Sequence, residues 1–342
     1  MKQEAAAARR YTPKKILIGV LGIVLSIGGL LYAFNGVEFS QLVETTSRIR
    51  VAPLILSIVA YWAGVVVARA LLVKYLLRRM GDLPWIRAYR CLGIGFLANN
   101  VLPLRMGDLA RSAAMAKAVG IPFSTVVGGV ALERMLDMIM VAVVGFLAIQ
   151  VAPLPEKLDV LRTFITWSGI ILGVAFVLLI VIARSKMEKN ILGQSRLGQF
   201  IWSYWLKFSA GFRALQDFKG VAIVMLLELF LWGCALAHFS WKLAAFDLPS
   251  GIDHSMVLLT CLGAAVALPS APGYVGVYHA AARIAVSQMA GVEDSVAVAF
   301  ALFSWVIDII CGNLVGMVSM IFEGMKFGDL KRVGDLSVEP AE

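Results

Sequence analysis

Six stretches of this 342-residue chain are apolar for about twenty residues at a time. A helix needs roughly that length to cross the hydrocarbon of a bilayer. The stretches are 16–34, 51–73, 124–150, 164–183, 221–246 and 296–322. Sixty per cent of the residues are hydrophobic and 15% are charged, whereas a soluble domain is nearer half apolar and a quarter charged. One water-soluble core of this length cannot hide that much apolar surface. A soluble enzyme, a disordered chain and a nucleic-acid module are excluded, and an all-α polytopic membrane protein is left.

Two further apolar runs, 92–104 and 256–268, are too short to cross. Each ends in a Leu-Pro pair, Leu102-Pro103 and Leu268-Pro269. Proline disfavours helix in the residue before it and removes a backbone donor. A mildly amphipathic stretch follows each break, 106–118 and 274–289. A short helix, a break and a returning helix predict two re-entrant hairpins. Broken backbone survives at membrane depth only where protein or a water-filled cavity surrounds it.

The net charge of +9 is resolved by position. With the N-terminus in the cytoplasm, the arm 1–15, the loops 74–90 and 184–219 and the tail after Phe322 hold 20 of the 31 Lys and Arg. The outside loops 35–50, 151–163 and 247–253 hold four. Cytoplasmic loops collect Lys and Arg, so both termini are expected inside. The first apolar run is longer than a signal-peptide core and lacks a small-residue cleavage site, so it is read as an uncleaved span. The stretch 200–219 is expected along the cytoplasmic interface. The domain reading is a basic arm at 1–15, one transmembrane domain at 16–325 and a cytoplasmic tail at 326–342.

The hairpins belong to longer matching units, about 88–150 and 254–322. Gly120 precedes Asp137 by 17 residues, and Gly291 precedes Asp308 by 17. The first hairpin opens from the cytoplasm and the second from outside, so the units are predicted to be inverted. Inverted repeats with broken helices meeting near the midplane are a recurrent plan of secondary transporters.

Glu133, Arg134, Asp137 and Asp308 fall near the middles of two spans. A charge at the bilayer centre costs about 3 kcal/mol or more. Two readings overlap there: an ion pair that ties helices together, and a substrate or proton site facing the bundle interior. Arg69 and Lys242 lie near span ends and are expected to snorkel to the interface. Glu228 is a weaker candidate. His238, His254 and His279 are expected to be packed or interfacial, and the four cysteines to be free buried thiols.

The first hairpin carries Asn100, Arg105, Asp108 and Arg111 around Gly107. Guanidinium forks match phosphate oxygens, which suits an anionic head group; contact with ordinary phospholipid is the plainer alternative. The second carries Ser270, Pro272, Gly273, Gly276 and Tyr278 in a tight loop.

Three motifs, N-x-L-P-x-R-x-G-D-x-x-R over Asn100–Arg111, Glu133-Arg134-x-x-Asp137, and P-S-x-P-G-x-x-G from Pro269, resemble the lysylphosphatidylglycerol synthase transmembrane-region family, whose members are often called flippase-like. The resemblance implies a multi-pass protein of the prokaryotic plasma (inner) membrane that moves a lipid. In aminoacyl-phosphatidylglycerol synthases a soluble transferase domain follows this region. Here about twenty mostly polar residues follow the last span, so a stand-alone member without lipid aminoacylation is expected. The resemblance carries Arg105, Asp108, Arg111, Glu133, Arg134, Asp137, Pro272 and Gly273 over as functional positions.

The leading reading is a translocator of an anionic-headed lipid: a phospholipid, an aminoacyl lipid or a polyprenyl-phosphate carrier. Asn100, Arg105, Asp108, Arg111, Arg134, Ser270, Pro272, Gly273, Gly276 and Tyr278 would bind it. Glu133, Asp137 and Asp308 would act as a proton or ion-pair switch. No catalytic residue, metal or cofactor is assigned. No G-x-x-x-x-G-K-[ST] loop is present, so energy would come from the substrate gradient, the proton gradient or a partner. The alternatives are an accessory subunit docked to a cell-envelope synthase and, more remotely, a lipid-phosphate enzyme, for which the second loop lacks a Ser-Arg-Ser.

Overall fold

A computed structural model describes residues 13–36, 39–102, 106–151, 217–268, 270–290 and 292–325, with a few more between 163 and 174 and at 328. The arm 1–15 before Pro13, Pro103, Arg105, the span 164–183 for the most part, the stretch 200–219 before Asp217, Pro269, Gly291 and most of the tail 326–342 lie outside the described residues.

The described chain is helical throughout. In order it forms α1 (Pro13–Phe34), α2 (Phe39–Ser47), α3 (Val51–Leu77), α4 (Trp85–Val101), α5 (Gly107–Val119), α6 (Phe123–Val151), α7 (Phe218–Ala245), α8 (Ile252–Ala267), α9 (Val277–Ala290) and α10 (Asp294–Phe322). Four of these, α3, α6, α7 and α10, are long and apolar enough to cross a membrane. The chain is a multi-pass membrane protein. Leu31, Leu226 and Ile321 stand exposed on the outside of the bundle, as lipid-facing side chains do.

Two helix–break–helix units have matching dimensions. Helices α4, α5 and α6 run for 17, 13 and 29 residues, and α8, α9 and α10 for 16, 14 and 29. The cause of each break is local. Leu102 and Leu268 both take extended backbone, with φ/ψ of −85°/142° and −74°/146°, as the residue before a proline does. Seventeen residues reach roughly 25 Å, short of the ~30 Å hydrocarbon core. The first short helix begins at Trp85, earlier than the apolar run suggests, because Pro84 sits at its N-cap.

The units interlock. Helix α4 packs on α10, and α8 packs on α6, so each hairpin lies against the long helix of the other unit. Small residues permit the approach: a Cβ on Gly316 would stand 2.5 Å from that of Leu97, and one on Gly93 2.6 Å from Ser319 Oγ. Packing between membrane helices depends on such close approach. One apolar cluster gathers α3, α4, α5 and α6 around Leu77, Leu92 and Met115; a larger one gathers α7, α8, α9 and α10 around Leu231, Leu258 and Phe300 and takes in Met140, Val144 and Ala148 of α6.

The second loop is held by α1. Ser26 Oγ accepts from the Ala271 amide at 2.8 Å. Gly276 has φ 84°, and a Cβ there would lie 1.9 Å from the Ser26 carbonyl oxygen, so only glycine fits. Tyr274 takes a left-handed φ of 60°, a strained state for an aromatic residue of the kind that clusters at functional sites.

Candidate functional site

Asp108 and Arg111 sit three apart on α5, and Glu133, Arg134 and Asp137 share one face of α6. The sixth member comes from α3. Residues Trp62–Ala68 form a π-helical turn, and the Arg69 amide bonds back to Gly64. The wider turn resets the helix register just before Arg69. Such turns often mark functional sites.

The six side chains form a closed ring of alternating charge. Arg69 Nη1 donates to Glu133 Oε1 at 2.6 Å and to Asp137 Oδ2 at 2.7 Å, with Nη2 on Asp137 Oδ1 at 3.0 Å. Arg134 Nη1 donates to Asp137 at 3.0 Å, and its Nη2 and Nε grip Asp108 at 2.8 and 2.9 Å. Arg111 Nε donates to Asp108 at 2.9 Å, and Nη1 closes the ring on Glu133 at 2.9 Å. Each carboxylate stands between two arginines and each arginine between two carboxylates. That arrangement makes the burial tolerable, because an unpaired charge in low dielectric is very costly.

Arg69 therefore points into the bundle and does not snorkel, contrary to the expectation from its place near a span end. Two carboxylates within reach offer more than the interface does.

The ring has an inner and an outer edge. Glu133 and Arg111 are 0% and 2% exposed, while Asp108 and Arg134 are 37% and 39% exposed. A cavity of about 540 Å³ opens on the outer edge. Arg69, Asp108, Arg134 and Asp137 form its polar wall; Trp232, Val266, Leu268 and Tyr274 belong to its apolar side. A charged wall facing an apolar one suits an amphiphile. Arg111 does not line it; it holds Glu133 from behind. Gly95 makes room for that, since a Cβ there would stand 3.0 Å from Arg111 Cβ.

The remaining sequence candidates are placed as follows. Asn100 Nδ2 donates to Asn313 on α10 at 2.8 Å, and Asn99 accepts the Gly107 amide at 2.8 Å. Pro272 and Gly273 form the loop that meets α4, and the Gly273 carbonyl accepts from Trp305 at 2.6 Å. Ser270 is buried in the same loop, and Gly276 is clamped against α1. His279 packs among Phe34, Tyr278 and Trp305. Glu228 is fully buried, and neither of its oxygens meets a hydrogen-bond donor among the described residues. The cysteines among the described residues are free thiols, Cys234 half-buried and the other three buried.

A second charged centre surrounds Asp308. It lies 14 residues into the 29-residue α10, as Asp137 lies 14 into the 29-residue α6. Lys242, fully buried, donates to Asp308 Oδ1 at 2.6 Å and to the Ser304 carbonyl and hydroxyl at 3.1 and 3.0 Å. Like Arg69, it turns inward where snorkelling was expected. His238 Nε2 stands 3.2 Å from Asp308 Oδ1, off the line of a hydrogen bond. Tyr278 OH meets Ser304 Oγ at 2.8 Å and Asp308 Oδ2 at 3.4 Å. A cavity of about 160 Å³ lies beside this centre, and Arg69 and Trp232 line it as well as the larger one.

Lys242, His238 and Arg69 escaped the sequence reading as site residues. A signal was present: Asp308 is the one acidic residue deep in its span and demands a cation, and Lys242 and Arg69 are the membrane cations outside the recognised motifs.

Among the described residues no group of three or more His, Cys, Asp or Glu is arranged to hold a metal ion. Residues 19–316 match a family model described as the lysylphosphatidylglycerol synthase TM region. No curated protein matches the chain.

Proposed function

The chain belongs to the lysylphosphatidylglycerol synthase TM region family, and from that premise we propose that it is a flippase-like translocator carrying an anionic-headed lipid across the prokaryotic plasma membrane. The observation that carries this reading is the 540 Å³ cavity with a guanidinium and carboxylate wall on one side and an apolar wall on the other. The head group sits against Arg134 and Arg69, and the acyl or prenyl chain lies along the apolar side.

Binding is an exchange of partners. A phosphate oxygen competes with Asp108 or Asp137 for Arg134, the most exposed guanidinium of the ring. Arginine offers a planar fork that fits phosphate as well as carboxylate. A displaced carboxylate still has another arginine, so the ring opens at one contact without leaving a bare charge. Glu133, Asp137 and Asp308 are the ion-pair switch, and Asn100, Ser270, Pro272, Gly273, Gly276 and Tyr278 shape the loops around the path.

Alternating access is the mode of transport in this reading, with six spans, both termini in the cytoplasm and two re-entrant hairpins related by inversion. The matching lengths of α4, α5 and α6 and of α8, α9 and α10 support it. Units 88–150 and 254–322 rock against each other, exposing the cavity to one leaflet and then the other. The lipid class covers phospholipids, aminoacyl lipids and polyprenyl phosphates, with a cell-envelope synthase as a partner class.

A cysteine at Met138, which lines the cavity, tests this in a background whose four native cysteines are replaced. Membrane-impermeant thiol reagents are expected to label Met138→Cys from either face of oriented vesicles, and phosphatidylglycerol to slow the labelling relative to phosphatidylcholine. Labelling from one face alone would refute alternating access.

A further inference from the structure

Each ring nitrogen of His238 faces an oxygen that can accept a hydrogen bond. Its Nδ1 lies 2.8 Å from both the carbonyl and the hydroxyl oxygen of Ser57. Its Nε2 lies 3.2 Å from a carboxylate oxygen of Asp308. A neutral ring carries one N–H. With that proton on Nε2, the ring turns its N–H toward Asp308 and Nδ1 accepts from the Ser57 hydroxyl; with it on Nδ1, the ring donates to the Ser57 carbonyl and the bare Nε2 faces the carboxylate. A second ring proton gives each nitrogen a donor for the acceptor it faces, the Ser57 carbonyl and Asp308.

The charge balance says when that proton is needed. The ring pairs three arginines with three carboxylates, and the second centre pairs Lys242 with Asp308. Neither centre has a spare positive charge for an arriving phosphate. Arg69 and Trp232 line both cavities, so the two centres share a wall. A unit charge added to one is felt at the other through a medium that screens poorly.

We infer that His238 and Asp308 form a proton site coupled to the lipid site, taking up one proton as one anionic head group binds, with Lys242 as the tethered cation that holds Asp308 when the proton is absent. This rests on the lipid-translocator reading. The step balances: imidazole plus a proton gives imidazolium, the centre gains one positive charge, and the phosphate brings one negative charge. Coupling of this kind is reciprocal. The proton raises affinity for the lipid, and the lipid raises affinity for the proton. The small cavity beside His238 and Asp308 is the route by which the proton arrives in this proposal.

Ser57 and Tyr61 of α3 and Asp308 of α10 meet the His238 ring directly, and Arg69 of α3 lines the same small cavity. Tyr278 of α9 and Ser304 of α10 act on it through Asp308 and Lys242. Lys242 lies one turn along on its own helix. Tyr278 and Ser304 tie the carboxylate to the second hairpin, so the proton state of the pair bears on the element expected to move.

The test uses the full chain with 15N-labelled histidine in nanodiscs. Three histidines are present, and the His238→Gln variant assigns the signal. The His238 ring is expected to pass from one to two protons as the pH falls. Its midpoint in phosphatidylglycerol is expected at least tenfold in proton concentration away from that in phosphatidylcholine, toward higher pH. Asp308→Asn, which keeps an oxygen for Lys242, should remove the difference. A single protonation state throughout, or equal midpoints in the two lipids, would overturn the inference. A second arm follows phosphatidylglycerol movement in vesicles under opposite pH gradients. Wild type should show different rates in the two directions, and His238→Gln a ratio near one. A rate that follows a sodium gradient and ignores pH would also overturn it. If no lipid moves in wild-type vesicles, the translocator reading fails, and the histidine titration still decides the proton site.

Discussion

Replacing Arg69 with methionine removes the guanidinium that bridges two carboxylates while keeping a long apolar stem. Three hydrogen bonds of 2.6, 2.7 and 3.0 Å are lost, from a side chain 10% exposed. Breaking a buried ion pair by removing one partner costs about 3–5 kcal/mol. The ring sets where in that range the loss falls. Glu133 keeps Arg111 and Asp137 keeps Arg134, so neither acid is abandoned, and the expected cost is about 3 kcal/mol. Denaturation in mixed micelles, followed by tryptophan fluorescence, measures it. Arg48→Ala is the control: its partner Glu44 is also exposed, at 76% and 62% for the pair, and such a pair contributes little. The double variant Arg69→Met with Asp137→Leu should cost less than the sum of the singles by about 1 kcal/mol or more, because the two sites share contacts. An Arg69→Met loss no larger than that of the control, or strict additivity in the double variant, would refute the closed ring.

Other outcomes follow from the same geometry. Gly276→Ala should unseat the second hairpin from α1, since its Cβ would lie 1.9 Å from the Ser26 oxygen; faster proteolysis of the loop and a lower melting temperature would show it, and wild-type resistance would count against the clamp. Glu228→Leu should stabilise the protein by about 1–3 kcal/mol, because an unsatisfied buried carboxyl carries a desolvation penalty of that order; a lower melting temperature would reveal an overlooked partner. Arg283 donates to the carbonyls of Ala33 and Asn35 at 3.2 Å each, to that of Tyr32, and to Asp294 at 2.5 Å. Arg283→Met should therefore loosen the C-terminal end of α1, read as faster amide exchange at residues 33–36 with little change at α6.

The breaks in the fold were legible because their cause is local: proline acts on the residue before it, and both Leu102 and Leu268 show the extended backbone this requires. The acidic half of the site was legible too, because Glu133, Asp137 and Asp308 are anomalous wherever they fall in an apolar run. Of its basic half, Arg111 and Arg134 were legible in their motifs, and Arg69 and Lys242 were not. Arg69 and Lys242 stand near the ends of their spans, where a sequence offers snorkelling as the cheap solution, and the π-helical turn before Arg69 changes which face it occupies without any marker that spacing alone detects. His238 looked ordinary for the same reason: its importance lies in Ser57 and Asp308, which reach it from two other helices.

The most direct test of a translocator built on this ring is head-group exchange between leaflets. The purified protein is reconstituted in vesicles carrying fluorescent phosphatidylglycerol or a fluorescent polyprenyl phosphate, and dithionite reports the accessible head groups over time. Wild type should accelerate exchange over empty vesicles for at least one of these lipids, while Asp137→Asn and Arg134→Gln, inserted at normal levels, fall back to the empty-vesicle rate. No acceleration by wild type with either lipid, or undiminished exchange in both variants, would contradict the account.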